Sequence, residues 1–355
     1  MKQRTIICVV LALVVAGAVW AAEGDGYLLR YKFEAGQVLK TIETTTGTIP
    51  MDMAVQRPAG MADQGGDAYQ GSTTIDVMAT RVLTIESVDE NGTASGSLKI
   101  EYLFVDTNTR IVNQTINQRI EYEDGQLTTS GTTQSQMSPE KMLEMEEMLK
   151  RTYHISIDPL GAIEPESEEY DAMWRQVMGK GVMGVNLREL TQATGGLPKE
   201  RVNIGDTWEQ KYTAGDEDEG TTGSSVMELT EVNTIDGCEL AVITGTSTFD
   251  VQNTDTEPSA APMMGNFAAG MQTAVQNVQT QTDFEMHMDI DRGQVVRQSA
   301  DITLGMEQTM VIDLQAMFGG NQPLEITFDM TVEDAKLHSE TSTEIVEVQA
   351  ADEEG

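Results

Sequence analysis

The chain has 355 residues and a formal net charge of −36, from 22 basic and 58 acidic side chains. So acidic a surface repels phosphate backbones and anionic headgroups, which excludes nucleic acid as a partner. Two cysteines and 5% aromatic residues leave no disulfide framework, and no aromatic platform of the kind carbohydrate enzymes usually present.

The N-terminus reads as a secretory signal. Lys2 and Arg4 precede an apolar run from Thr5 to Val19, and Val19 and Ala21 supply the small residues of a cleavage site before Glu23 and Asp25. Cleavage near Ala21 removes two basic and no acidic residues, taking the charge from −36 to −38 and the length from 355 to 334. Export to the periplasm or beyond follows, with Cys238 as the one remaining cysteine and no transmembrane helix in the mature chain.

From there the dominant period is two. Leu98, Ile100, Tyr102 and Phe104 alternate with polar residues. So do Phe284, Met286, Met288 and Ile290, then Ile302, Leu304 and Met306, and finally Leu324 to Val332. Each set predicts a strand with one buried and one wet face. Asn91-Gly92, Asp124-Gly125, Asp236-Gly237 and Asp291-Arg292-Gly293 supply the positive φ of hairpin turns. Helical periodicity is confined mainly to residues 138–151, to 167–179 between a Ser167 cap and a Gly179 stop, and to a shorter stretch from Asn186.

The expected fold is mainly β, with large curved antiparallel sheet or sheets built from two related halves and two or three short helices between them. Three pairs of segments recur in the same order. Phe33–Leu39 resembles Val202–Trp208, Leu83–Val88 resembles Met227–Val232, and Ile155–Gly161 resembles Met288–Gly293. The expected division is signal peptide 1–21, first β half 22–165, helical connection 166–200, second β half 201–338 and a frayed acidic tail 339–355.

Three segments rich in Met, Gly, Ala and Pro, at 50–71, 257–271 and 315–323, lack alternation and read as loops at hairpin ends. Strand parity puts the last two at one end of the sheet, and the first at the matching end if the halves are related. Met51, Met53, Met61, Met263, Met264, Met271, Met317 and Phe318 would then form an adaptable apolar rim on an acidic body.

Leu29-Arg-Tyr-Lys-Phe-Glu-Ala-Gly36, the Met51-Asp-Met53 stretch and the Val88-Asp-Glu-Asn-Gly92 hairpin resemble an exported bacterial family of unknown function. The Leu197-Pro198 and Val202 to Trp208 segment is similar to that family's second-half signature. The resemblance implies secretion and a β-rich build, and brings no site residues.

Catalytic patterns resolve into structural ones. Ser138-Pro-Glu-Lys141 matches the Ser-x-x-Lys of penicillin-binding enzymes, yet it coincides with a helix cap and lacks their other motifs. His154, His287 and His338 are isolated, so no metal or other cofactor is expected. Met142-x-x-Met145 and Met286-His-Met288 have the sulfur ligands Cu(I) favours, but they fall where a helix and a strand need their apolar faces. The expectation is a non-enzymatic envelope or periplasmic protein whose rim meets an apolar ligand or an envelope partner. The alternatives are a passive structural protein and, more distantly, a carboxylate-based hydrolase.

Overall fold

The computed structural model describes residues 26–56, 68–111, 114–132, 139–165, 196–214, 221–235, 237–254, 271–313 and 325–346. The first seven strands are β1 (Val38–Gln56), β2 (Ala68–Val88), β3 (Ala94–Ile111), β4 (Gln114–Glu123), β5 (Gln126–Gly131), β6 (Tyr153–Ile157) and β7 (Ile163–Pro165). The remaining six are β8 (Thr207–Ala214), β9 (Thr221–Ile235), β10 (Cys238–Thr254), β11 (Met271–Asp289), β12 (Gln294–Asp313) and β13 (Glu325–Val346). One described helix, α1 (Pro139–Lys150), separates β5 from β6.

All thirteen strands belong to one antiparallel sheet, ordered β5-β4-β3-β2-β1-β13-β12-β11-β10-β9-β8, with β6 against β3 and β7 against β6. The sheet is curved and open, and the first and last strands meet in its middle. The mainly β expectation therefore holds. The two helices expected within 166–195 lie outside the described residues.

Alternation assigns the faces. On β11, Val278, Thr280, Thr282, Phe284, Met286 and Met288 are each at most 4% exposed, while Gln279, Gln281, Asp283 and Glu285 face water. Three inward clusters result. The first joins Leu103, Ile120, Tyr122 and Ile155 to Met145, Met148 and Leu149 of α1. The second, toward the end of the sheet where Gln56, Ala68 and Met271 lie, holds Ile49, Met51, Phe249, Leu304, Met306 and Val332. The third, toward the opposite end, holds Met227, Leu229, Ile243, Phe284, Met286 and Met288 under Leu29, Leu197 and Val202.

One alternating run changes phase. The register of β3 against β2 slips between Thr80 and Arg81, so Leu103 turns inward and is 1% exposed. Tyr102 and Phe104, expected beside Leu98 and Ile100, share the other face, and the Arg119 guanidinium sits 5.3 Å from the Phe104 ring centre. A β-bulge inserts one residue, and every side chain beyond it changes face.

Two expected boundaries also move. β1 runs through to Gln56 and β2 starts at Ala68, so both ends of the loop expected at 50–71 are strand. Ser339–Val346, expected as frayed tail, completes β13 and pairs with Val38–Thr45 of β1. The acids of this stretch, Glu340 and Glu344, point to water while Ser339 is buried, so strand pairing tolerates its charge.

The segment before β1 crosses the turn end of the sheet. Tyr27 exchanges both backbone hydrogen bonds with Val202, Tyr31 N donates to Pro159 O at 2.9 Å and Lys32 N to Gly293 O at 3.0 Å. Arg30 donates to the carbonyls of Pro198 and Lys199, and Lys32 Nζ to those of Ile290 and Asp291. Leu29, fully buried, is the side chain this segment delivers to the third cluster. Burial pushes the Tyr31 hydroxyl up to about 12, and its ring stacks on Phe33.

The turns ahead of β1 and β8 make the same three bonds. Gly36 N donates to Ile85 O, Gln37 N to Glu34 O, and Ile85 N to Gln37 O. Gly205 N donates to Leu229 O, Asp206 N to Asn203 O, and Leu229 N to Asp206 O. The glycines have φ of 86° and 89°, which L side chains rarely adopt. Each turn opens a strand that pairs with its successor, β1 with β2 and β8 with β9.

Candidate functional site

The register brings the roots of the three Met-rich segments to one end. Gln56 of β1 lies opposite Thr327 of β13, and Ala54 opposite Ala68 of β2. Met271, the first residue of β11, lies opposite Ile312 near the end of β12, and Thr254 of β10 opposite Val275. The crossing N-terminal segment occupies the other end. Met61, Met263, Met264, Met317 and Phe318 lie outside the described residues.

Met51 departs from the rim expectation. It points inward from β1, is 5% exposed, and receives a contact from the Thr73 hydroxyl at its sulfur, 3.9 Å away. Met53 shares that face and is half-buried. Met51 and Met53 lie two and four residues beyond Ile49 on the same strand, so the pleat commits them to the core face. With Met306, and with Met330 packed against the cluster, Met51 makes the inner wall below the loop roots rich in thioether.

Lower on the inner face the wall turns polar. Arg81 bonds Glu43 across β1 and β2 with both side chains largely covered. Thr41 and Thr343 hydroxyls lie 3.2 Å apart, and Thr45 donates to Ser339 at 3.1 Å. This band separates the α1-capped cluster from the one under Leu29. Its cation and carboxylate neutralise each other, so it supplies neither a lone nucleophile nor an exposed charge.

The outward face carries charge and hydroxyls. Thr44, Thr46 and Thr48 of β1, Asp76 of β2, Asp283 and Glu285 of β11, Asp301 of β12, and Lys336, His338 and Glu340 of β13 all point this way. A lipid-facing barrel wall instead carries an apolar band about 25 Å tall outside and polar residues within. The described wall has the reverse polarity.

The three histidines stay apart. His287 Nε2 lies 2.7 Å from Glu285 on the outer face, while Met286 and Met288 are buried on the inner one. His338 Nδ1 lies 2.8 Å from Asp301, whose carboxylate, followed by Glu340, raises the imidazole above its ordinary range. His154 Nδ1 is 3.9 Å from Glu86. Among the described residues no three His, Cys, Asp or Glu side chains group to hold a metal ion. Met142 accepts from Thr129 at 3.5 Å and Met145 is buried against the sheet, so the helical methionines are used in packing. Glu146 binds Lys150 and accepts from Leu127 N on the free edge of β5, which holds its carboxyl below the usual range.

Sequence reasoning did not foresee an open groove of about 780 Å³ on the outer face, crossing β8 to β13. Lys211, Ser224, Thr248, Gln281 and Thr303 form one register row across it. Asp250, Gln279 and Gly305 form the next. The only advance sign was the run of polar residues between the apolar positions of these strands.

No family model and no curated protein matches this chain. Among solved structures, the outer membrane protein OprG from Pseudomonas aeruginosa aligns over 89% of this chain and 99% of its own, at 7% identity and a TM-score of 0.25. An outer membrane channel from Pseudomonas putida F1 aligns over 89% and 97%, at 6% identity and a TM-score of 0.21. A β-barrel-like protein of a domain of unknown function from Brucella abortus aligns over 88% and 99%, at 9% identity and a TM-score of 0.15. Scores of this size do not establish a shared fold.

Proposed function

We propose that this chain is an exported, non-enzymatic protein of the envelope or periplasm that takes an apolar ligand, or an apolar segment of an envelope partner, at its Met-rich end. The observation that carries the reading is the convergence of three hairpin roots at the end away from the N-terminal crossing, above an inner wall containing Met51, Met306 and Met330. Unbranched thioether side chains adapt to varied apolar shapes, as at promiscuous binding surfaces. The polar outer wall suits a protein surrounded by water, and the signal-like N-terminus with cleavage near Ala21 supplies export. The matched turns at Gly36 and Gly205 support an origin of the two halves by duplication.

The test titrates the exported protein with N-phenyl-1-naphthylamine, a neutral apolar fluorophore. Saturable enhancement is expected, and the triple variant Met263→Ser, Met264→Ser, Phe318→Ser should lose most of it with an unchanged melting temperature. Loss of folding in that variant would mean these residues are ordinary core, and the rim reading fails.

A second reading, a passive structural or interaction protein, is favoured by the packing of the third cluster beneath Leu29, Leu197 and Val202. Absence of any saturable signal in the unmodified protein would select it.

A further inference from the structure

We infer that the groove across the outer face of β8–β13 is a binding site for a neutral, polyhydroxylated ligand, of the oligosaccharide class. The inference is independent of the Met-rich rim, which lies on other residues.

The groove is shaped by a defect in the sheet. Between Leu304 and Met306 the register of β12 against β13 slips, and Asp334 on the opposite strand adopts a φ of 51°. A bulge bends its strand and re-aims side chains, which here opens a hollow in a face that would otherwise be level. Gly305 stands in that hollow. A Cβ built there would meet nothing closer than 3.8 Å, so the missing side chain leaves floor space rather than relieving a clash.

The chemistry of the walls selects the ligand. The row from Lys211 to Thr303 presents ammonium, hydroxyl, hydroxyl, amide and hydroxyl on five neighbouring strands. At the ordinary strand spacing it is about 19 Å long. Hydroxyls and amides both donate and accept, which matches a ligand carrying both functions along its length. Glu209, Asp250 and Asp334 add carboxylates at the margins, and with the chain's −36 charge they turn away polyanions. An extended peptide would need free backbone groups, yet β9 to β13 are paired on both sides and offer only side chains. The lining contains one large apolar residue, Phe249, which is 7% exposed, so an apolar ligand would find no complementary wall. With no stacked aromatic platform, affinity rests on hydrogen bonds that replace those to water, each contributing about 1 kcal/mol, and should be weak.

The test is calorimetric titration of the exported protein with cellohexaose and with chitohexaose at millimolar concentration. Saturable binding of at least one is expected. Gly305→Val should abolish it by filling the floor, and the pair Thr248→Val with Gln281→Leu should weaken it about thirtyfold, as loss of two hydrogen bonds implies. Melting temperatures of the variants report whether the sheet is intact, and Thr44→Val on the outer face of β1, away from the groove, should leave binding unchanged. No heat with either sugar overturns the assignment. So does binding that Gly305→Val leaves intact in a folded protein, or binding that Thr44→Val reduces equally.

Discussion

The two halves of the sheet begin alike and are finished differently. Ahead of β1 and of β8 the chain makes the same glycine turn, locked to the buried Ile85 in one case and the buried Leu229 in the other. The inner face of the first half is then covered by α1, through Met145, Met148 and Leu149. That of the second is covered by two connecting segments, through Leu29, Leu197 and Val202. A strongly curved sheet leaves apolar area at its ends that strands alone cannot bury, and whatever chain is nearby becomes the lid. In the first half the lid comes from between β5 and β6, and in the second it combines the stretch just before β8 with Leu29, from the extreme N-terminus of the described chain and far away in sequence.

The sharpest way to break this comparison is to remove one lid at a time. Leu29 is fully buried and Leu149 is 1% exposed. Truncating either to alanine should cost about 2–5 kcal/mol, the range for fully buried leucines. Urea unfolding measures the size, and Trp208, which packs against the third cluster, reports the location. In a Trp174→Phe background, Leu29→Ala should move the Trp208 transition to lower urea. Leu149→Ala should move it less than it moves the far-UV signal. Equal movement of both signals in both variants would show that the halves unfold as one unit and that the lids are not separable.

A smaller effect tests whether the two turns are equivalent. Gly36 and Gly205 share a positive φ, and nothing lies within 4 Å of a Cβ built on either. Alanine at either position meets conformational strain alone, about 1–2 kcal/mol, and the two costs should agree. Gly293 differs. Its φ is 63°, and a Cβ there would lie 2.6 Å from Arg30 O and from Lys32 N. Gly293→Ala should therefore cost more than either, because the crossing segment must shift. Thermal melts of the three variants decide it, and a Gly293→Ala no worse than Gly36→Ala would mean the crossing segment is not held there.

These features differ in how far the sequence announces them. The alternation of Phe284 to Met288 and of Ile302 to Met306 marks buried faces, because a strand's side chains must alternate. Helix α1 was visible from Pro139 and the spacing of Met142, Met145 and Leu149. Phe33–Leu39 and Val202–Trp208 look alike because the turn demands glycine at one position. The phase change at Leu103 was hidden, since Tyr102 and Phe104 continue an apolar alternation that the bulge interrupts. So was the crossing segment, whose bonds join Tyr27 to Val202 and Lys32 to Gly293 over long separations and depend on backbone atoms that carry no residue signature. The groove escaped for a related reason. Its row from Lys211 to Thr303 exists only once the register of five strands is known.

The smallest expected effect sits on the outer face of the second half, at His338. His338 is half-exposed between Asp301 on β12 and Glu340 on its own strand, and Arg297 also reaches Glu340. The bond to Asp301 is the first cause of its raised pKa, ahead of the contribution from Glu340. A histidine whose folded pKa exceeds its unfolded one, ordinarily near 6.5, adds stability that is fully present below the unfolded value. That stability is lost as pH rises through the folded value. Exposure to solvent keeps the effect small. Between roughly pH 6 and 8 the melting temperature should fall slightly as His338 loses its proton. Asp301→Asn should bring the His338 titration, followed by its ring proton resonances, back toward the ordinary range and flatten that slope. A titration unmoved by Asp301→Asn would show that Glu340 alone holds the proton, leaving the Asp301 contact without electrostatic consequence.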